Sequence, residues 1–141
     1  MTLPDVSELL VRVNYSEVDQ MGVVYHARYI VWLDMARTEH LRARGSSYRD
    51  LESRGYRLVV GELTVRYRQP ARYDDLIRVR SWVGELASRR VTFEYAIERA
   101  EDSHLLATAS TAMMVLSDAM TPTRLPDDIR AALVGASGAG T

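Results

Sequence analysis

The chain has 141 residues and a mass of 16.0 kDa, with 47% hydrophobic and 26% charged residues and no cysteine. That is the size and apolar content of a single globular domain, and the missing thiols exclude disulfides, zinc–thiolate sites, iron–sulfur clusters and cysteine nucleophiles. All 18 cations are arginine and 19 residues are acidic, so the formal charge of -1 carries no excess of positive charge and no nucleic-acid partner is expected.

The first ten residues contain Asp5 and Glu8 and lack both a basic start and a long apolar run, so they do not read as a signal peptide. Apolar runs such as Ala112 to Leu116 fall well short of the ~20 residues of a membrane span. A soluble cytoplasmic protein is expected. Glu8 to Tyr15 is short and β-branched and is predicted to be a first strand, followed by a loop from Ser16 to Gly22 with Asp19 and Gly22 supplying the turn chemistry. From Ala27 to Arg44 there is neither Pro nor Gly. Tyr29, Leu33, Ala36 and His40 recur on one face, with Ile30, Met35 and Leu41 widening the apolar sector, and Gly45 follows as a stop. A second helix is predicted over Ser47 to Arg54, capped by Ser46 or Ser47 and ended by Gly55.

After Gly55 the period changes to two. Val59, Leu63, Val65 and Tyr67 share one face of a strand, as do Ile77, Val79 and Val83, then Val91, Phe93, Tyr95 and Ile97, then Leu105, Ala107, Ala109, Met113 and Val115. The links Pro70 to Asp75, Ala87 to Arg89 and Glu101 to Ser103 are too short for parallel crossovers and predict antiparallel neighbours. The fold class is therefore α+β, a five-stranded, mainly antiparallel sheet around one long helix. Leu106, Ala112, Met114 and Leu116 leave a second apolar face on the last strand, which predicts self-association. One domain is expected over residues 1–134, including a short helix from Pro126 to Leu133, with residues 135–141 as an unstructured tail.

No G-x-S-x-G, G-x-x-x-x-G-K-[ST] or G-x-G-x-x-G pattern is present, and none of His26, His40 and His104 is paired with another at helical spacing, so no metal site is expected. The chemistry concentrates in the junction Tyr15 to Tyr29. There an acidic residue, Asp19, precedes Gly22 and an apolar pair, and the helix starts near Tyr25 to Ala27 without the Ser, Thr, Asp or Asn that usually caps it. Uncapped N–H groups at a helix start are suited to an anion or a developing oxyanion.

The run Asp19-x-x-Gly22-Val23-Val24-Tyr25-His26-x-x-Tyr29, the following Ala36-Arg37-Thr38-Glu39, and Tyr67-Arg68-Gln69-Pro70-Ala71-Arg72-Tyr73-Asp74-Asp75 resemble the 4-hydroxybenzoyl-CoA thioesterase family of hotdog-fold proteins. Within it they are most similar to the short-chain acyl-CoA thioesterases of the Tol-Pal-associated type, and the resemblance covers about Leu10 to Leu116. It implies hydrolysis of an acyl-CoA to the free acid and CoA, with no cofactor beyond the CoA of the substrate, and a homodimer or homotetramer. Carried over by position, the catalytic carboxylate falls on Asp19 and the oxyanion-binding N–H on His26. Tyr25 and the His26 side chain would line the acyl site, Gly22 and Val23 would approach the substrate, and Ser88, Arg89 and Arg90 would meet the CoA phosphates. Acyl carrier protein is a further partner that the resemblance allows.

The residues by themselves leave other readings open. Asp19 also suits a turn that bonds its own backbone. Glu39, a helix carboxylate used by another hotdog branch, is equally suited to an i, i+3 pair with Arg42. Arg66, Arg68, Arg78 and Arg80 are spaced as a stripe that Glu62, Glu94 and Glu98 would neutralise. A hydratase or dehydratase on the same fold, or an acyl-thioester-binding protein without turnover, are the functional alternatives.

Overall fold

The computed structural model describes residues 5–138. Strand β1 (Ser7–Arg12) leads through a single 3-10 turn (Tyr15–Glu17) and a tight loop into helix α1 (Arg28–Ala43). Helix α2 (Tyr48–Ser53) then precedes β2 (Tyr56–Tyr67), β3 (Leu76–Leu86), β4 (Arg90–Arg99) and β5 (His104–Ser117), and α3 (Asp127–Gly138) closes the chain. All five strands form one antiparallel sheet in the order β1-β3-β4-β5-β2. This is the α+β arrangement expected of a hotdog fold.

Helix α1 packs one face onto the sheet. Tyr29, Trp32, Leu33, Ala36, Arg37, His40 and Leu41 are buried, against Ile77, Val79, Val91, Phe93, Tyr95 and Ile97 of the strands. The buried sector thus widens through Trp32 and Arg37, whereas Ile30 and Met35 point outward at 39% and 41% exposure. Arg37 is accepted in the core because its guanidinium donates to the hydroxyls of Tyr48 and Tyr95 and to the Asp34 carboxylate, and Tyr95 shares a further hydrogen bond with Thr111. Helix α2 has Ser47 as its cap, whose Oγ accepts from the Asp50 N–H at 3.0 Å.

Several expectations are corrected by irregularities that a strict period of two does not carry. Tyr15 belongs to the 3-10 turn, so β1 ends at Arg12. In β2 the register slips between Val60 and Glu62, so Leu58 and Val65 both face the core and Val59, expected inward, turns to the outer face, while Leu63 stays on the face of Val65 but is 36% exposed. A second slip between Val83 and Glu85 brings Leu86 inward, and a third on β5, opposite Ile97 and Glu98, buries Leu106 rather than Leu105. Helix α3 continues to Gly138, into the segment expected to be an unstructured tail, whose last three residues lie outside the described residues.

The largest correction concerns connectivity. The link from β2 to β3 does not join neighbours, because β4 and β5 lie between them. Eight residues, 68 to 75, reach up to ~26 Å when extended, and three strand spacings need only ~14 Å, so the segment crosses the end of the sheet. This crossing borders the candidate site. The C-terminal ends of β1, β2 and β4, the N-terminal ends of β3 and β5, and the start of α1 all meet at that end.

Candidate active site

Residues 18–24 form a tight reversal. Val18 bridges to Val24, the Asp19 N–H donates to the Val23 carbonyl at 2.9 Å, and the Gly22 N–H returns to the Asp19 carbonyl at 3.0 Å. Gly22 occupies φ +78°, a conformation that costs an L side chain ~1–2 kcal/mol. The reversal is stitched to the crossing segment, with Val23 bridged to Arg72 and the Val24 N–H on the Ala71 carbonyl at 2.8 Å. The Tyr29 hydroxyl accepts from the Ala71 N–H at 2.9 Å, and burial raises the Tyr29 pKa against the opposing effect of that bond.

Asp19 is exposed, and its Oδ1 accepts from the Met21 N–H at 2.8 Å. Its turn chemistry and its accessibility are therefore compatible, since one carboxylate oxygen has no protein partner among the described residues. Helix α1 begins six residues beyond Gly22, as the sequence suggests, with Ala27 as cap and no side-chain capping bond. The Tyr25 N–H is taken by the Glu17 carbonyl and the Arg28 N–H by the Tyr25 carbonyl, both at 2.9 Å. Between them, the N–H groups of His26 and Ala27 have no acceptor among the described residues.

Beside this helix start lies a cleft of about 270 Å3 lined by Val24, His26, Tyr29, Tyr67, Arg68, Gln69 and Pro70. The Tyr67 hydroxyl donates to the His26 carbonyl at 2.8 Å, and its ring meets those of Tyr29 and His26 edge-on at 5.0 and 6.4 Å. Burial raises the Tyr67 pKa, which keeps the hydroxyl protonated and a donor. Tyr25 is half exposed, with its ring 4.5 Å from that of His26. Among the described residues no group of three His, Asp or Glu side chains is arranged to hold a metal ion.

The structure thus places Asp19, Gly22 and Val23 in the reversal and Tyr25 and His26 at the start of α1, with only His26 of the five lining the cleft, and it separates Ser88, Arg89 and Arg90 from them. That turn joins β3 to β4 at the opposite end of the sheet, ~34 Å away along the eleven residues of β3, where the Ser88 carbonyl accepts from the Leu125 N–H and Arg90 pairs with Glu85 at 2.7 Å. Glu39 pairs with Arg42 on the helix surface. Arg78 and Arg80 share Glu8 and Glu98, whereas neither Arg66 nor Arg68 forms an ion pair among the described residues. Two features escaped sequence reasoning. The cleft wall at Tyr67 to Pro70 lies within a motif that marks the family resemblance, but no side-chain pattern distinguishes wall from strand. Glu17, two residues before Asp19, is buried at 4% exposure although acidic residues in loops are ordinarily solvated.

Residues 13–133 match the family model described as the thioesterase-like superfamily. The chain is 35% identical over 119 residues to YbgC of Escherichia coli O157:H7, named an acyl-CoA thioester hydrolase, covering 84% of this chain and 89% of that protein. It is 36% identical over 123 residues to the acyl-CoA thioesterase YbgC of Haemophilus influenzae, covering 86% and 90%. Among solved structures, protein TT1821 of Thermus thermophilus superposes with a TM-score of 0.85 at 38% identity, over 90% of this chain and 96% of the other. The DHNA-CoA thioesterase of Staphylococcus aureus superposes with a TM-score of 0.81 at 31% identity, over 85% and 80%. With the antiparallel sheet, the uncapped helix start and the family match in agreement, the chain belongs to the thioesterase-like superfamily of hotdog-fold enzymes.

Proposed function

We propose that the protein hydrolyses acyl-CoA thioesters, with Asp19 as the reacting carboxylate and the His26 N–H as oxyanion donor. The observation that carries this reading is the pair of N–H groups without acceptors at the start of α1, next to an exposed carboxylate and a cleft. Charge that develops on the thioester oxygen is stabilised by such a donor, and loss of one donor of this kind is worth ~2.7–4 kcal/mol in the transition state. A thiol has a pKa near ~8.5, so the CoA thiolate leaves without the strong protonation an amine requires. Asp19 either attacks the carbonyl carbon, giving a mixed anhydride that water then cleaves, or takes a proton from the attacking water. No cofactor enters either route.

The reading extends to a second copy of the chain. β2 is an edge strand, and Val59, Val60 and Leu63 on it are 37%, 46% and 36% exposed, a surface that a monomer leaves unpaired. Two-fold pairing of β2 with β2 sets the Tyr67 end of one copy beside the Tyr56 end of the other. The Ser88–Arg90 turn of the second copy then lies on the same side as this cleft, which returns those residues to a role with the CoA phosphates. Dimers or tetramers, a cytoplasmic location and acyl carrier protein as an alternative carrier belong to this same reading. No helix among the described residues is long and apolar enough to cross a membrane.

The test is thiol release from short, long and aromatic acyl-CoAs by the wild type and Asp19→Asn. Asn retains the bond from the Met21 N–H, so the fold stays intact while the rate falls by at least ~100-fold. Full activity in Asp19→Asn removes Asp19 from the reaction. Leu63→Lys, assayed by analytical ultracentrifugation, shifts the chain to monomer if β2 is the seam.

A further inference from the structure

Among the described residues Glu17 is the one buried acidic side chain. Burying a carboxylate is costly unless its oxygens are paired. Here one oxygen accepts from the Asn14 N–H at 2.9 Å, and the other accepts from the Trp32 indole N–H at 3.1 Å and from Arg28 Nε at 3.3 Å. The donors come from two separate pieces of chain. Asn14 precedes the reversal that carries Asp19, while Arg28 and Trp32 form the first two turns of α1. The backbone of Glu17 adds a fourth tie, its carbonyl holding the Tyr25 N–H at 2.9 Å.

The two groups assigned to the chemistry hang from the two sides of this clamp. Asp19 lies two residues after Glu17, and His26 lies two residues before Arg28. We infer that Glu17 is a positioning residue that sets the placement of the Asp19 carboxylate relative to the His26 N–H, an inference that rests on the thioesterase reading for its kinetic consequence alone. An apolar side chain would fill the same space and leave the reversal and the helix start free to shift independently. Such a shift matters because a misplacement of ~1 Å at a reacting group costs about 100-fold in rate. Glu17 itself touches no substrate.

The experiment compares Glu17→Gln, which keeps the shape but turns an N–H2 toward the donors, with Arg28→Met, a partly exposed partner whose loss leaves two of the three side-chain ties in place. Each is measured by amide hydrogen exchange over residues 18–27 and by kcat and KM for butyryl-CoA, alone and on the Asp19→Asn background. In Glu17→Gln, exchange across 18–27 accelerates by about 10-fold while the sheet keeps its protection. Its kcat falls by about 100-fold with KM within about 3-fold, and Arg28→Met shows a smaller loss in the same direction. On the Asp19→Asn background the same substitution lowers the residual kcat by less than about 2-fold, because a placement already useless has no further effect. Unchanged exchange at 18–27, unchanged kcat in Glu17→Gln, or a full additional loss on the Asp19→Asn background each overturns the inference. Absence of thiol release from the wild type overturns the thioesterase reading instead, and the exchange measurement then decides the role of Glu17 by itself.

Discussion

His40 offers the sharpest test of the core energetics. It has no exposed surface, neither ring nitrogen has a hydrogen-bond partner among the described residues, and its ring meets Phe93 edge-on at 5.6 Å. Burial, reinforced by the Arg44 guanidinium and opposed by the Asp5 carboxylate, lowers its pKa from 6.5 to about 4. Between those values the unfolded chain holds a proton that the folded chain does not, so acid favours unfolding across that window. The stability contributed by neutral His40 is complete above the unfolded value, declines as pH falls through the window, and is fully lost below about 4. The whole linkage amounts to about 3 kcal/mol, of which about 2 kcal/mol is lost between pH 7 and pH 5. His40→Leu, similar in volume and unable to ionise, isolates this contribution. Denaturant unfolding of both proteins at pH 7, 6 and 5, at fixed protein concentration, should show the stability difference moving by about 2 kcal/mol in favour of the variant. A difference that stays constant over that range refutes a buried, unpartnered imidazole.

Other substitutions probe the remaining layers. Leu33→Ala empties a fully buried position under α1 and should lose ~2–5 kcal/mol in denaturant unfolding. Tyr95→Phe removes the hydroxyl that joins Arg37 to Thr111 and leaves both without that partner in the core, a loss of ~1–3 kcal/mol read by the same method. Gly22→Ala meets open space but must adopt φ +78°, so it should destabilise by ~1–2 kcal/mol through backbone strain, visible as a lower Tm with an unchanged denaturant slope.

The elements of this fold were legible because each is written in a strong local code. The helix from Arg28 is flanked by Gly45, α2 by Ser47 and Gly55, and β4 alternates without interruption. What sequence reasoning misplaced lies where tertiary pairing overrides that code. The slips at Gly61 and Gly84 invert the faces of Val59 and Leu86, because bulges arise from partner geometry rather than from side-chain period. The short link from Pro70 to Asp75 suggested neighbours, yet length limits only reach, and the eight residues 68–75 suffice to span two strands. In the site, Asp19, Gly22 and the uncapped helix start could be read from residue types and family resemblance. Glu17 could not, since its meaning comes from Trp32 and Arg28, which are distant in sequence until α1 folds back over the loop.

The strand order also dictates a sequence of events. Only β3, β4 and β5 are joined to their sheet neighbours by tight turns, at 87–89 and 100–103, so this meander is the part of the sheet that closes with little loop entropy. β1 must find β3 across the whole of α1, α2 and β2, and β2 must reach past two strands to join β5. Contacts of such long range slow folding and form late. The reversal bearing Asp19 follows β1, and the wall at Tyr67 ends β2, so both halves of the cleft arrive with the late strands. Catalytic competence should therefore lag behind the recovery of sheet structure during refolding, with the meander serving as the template on which the candidate active site is the last piece laid down.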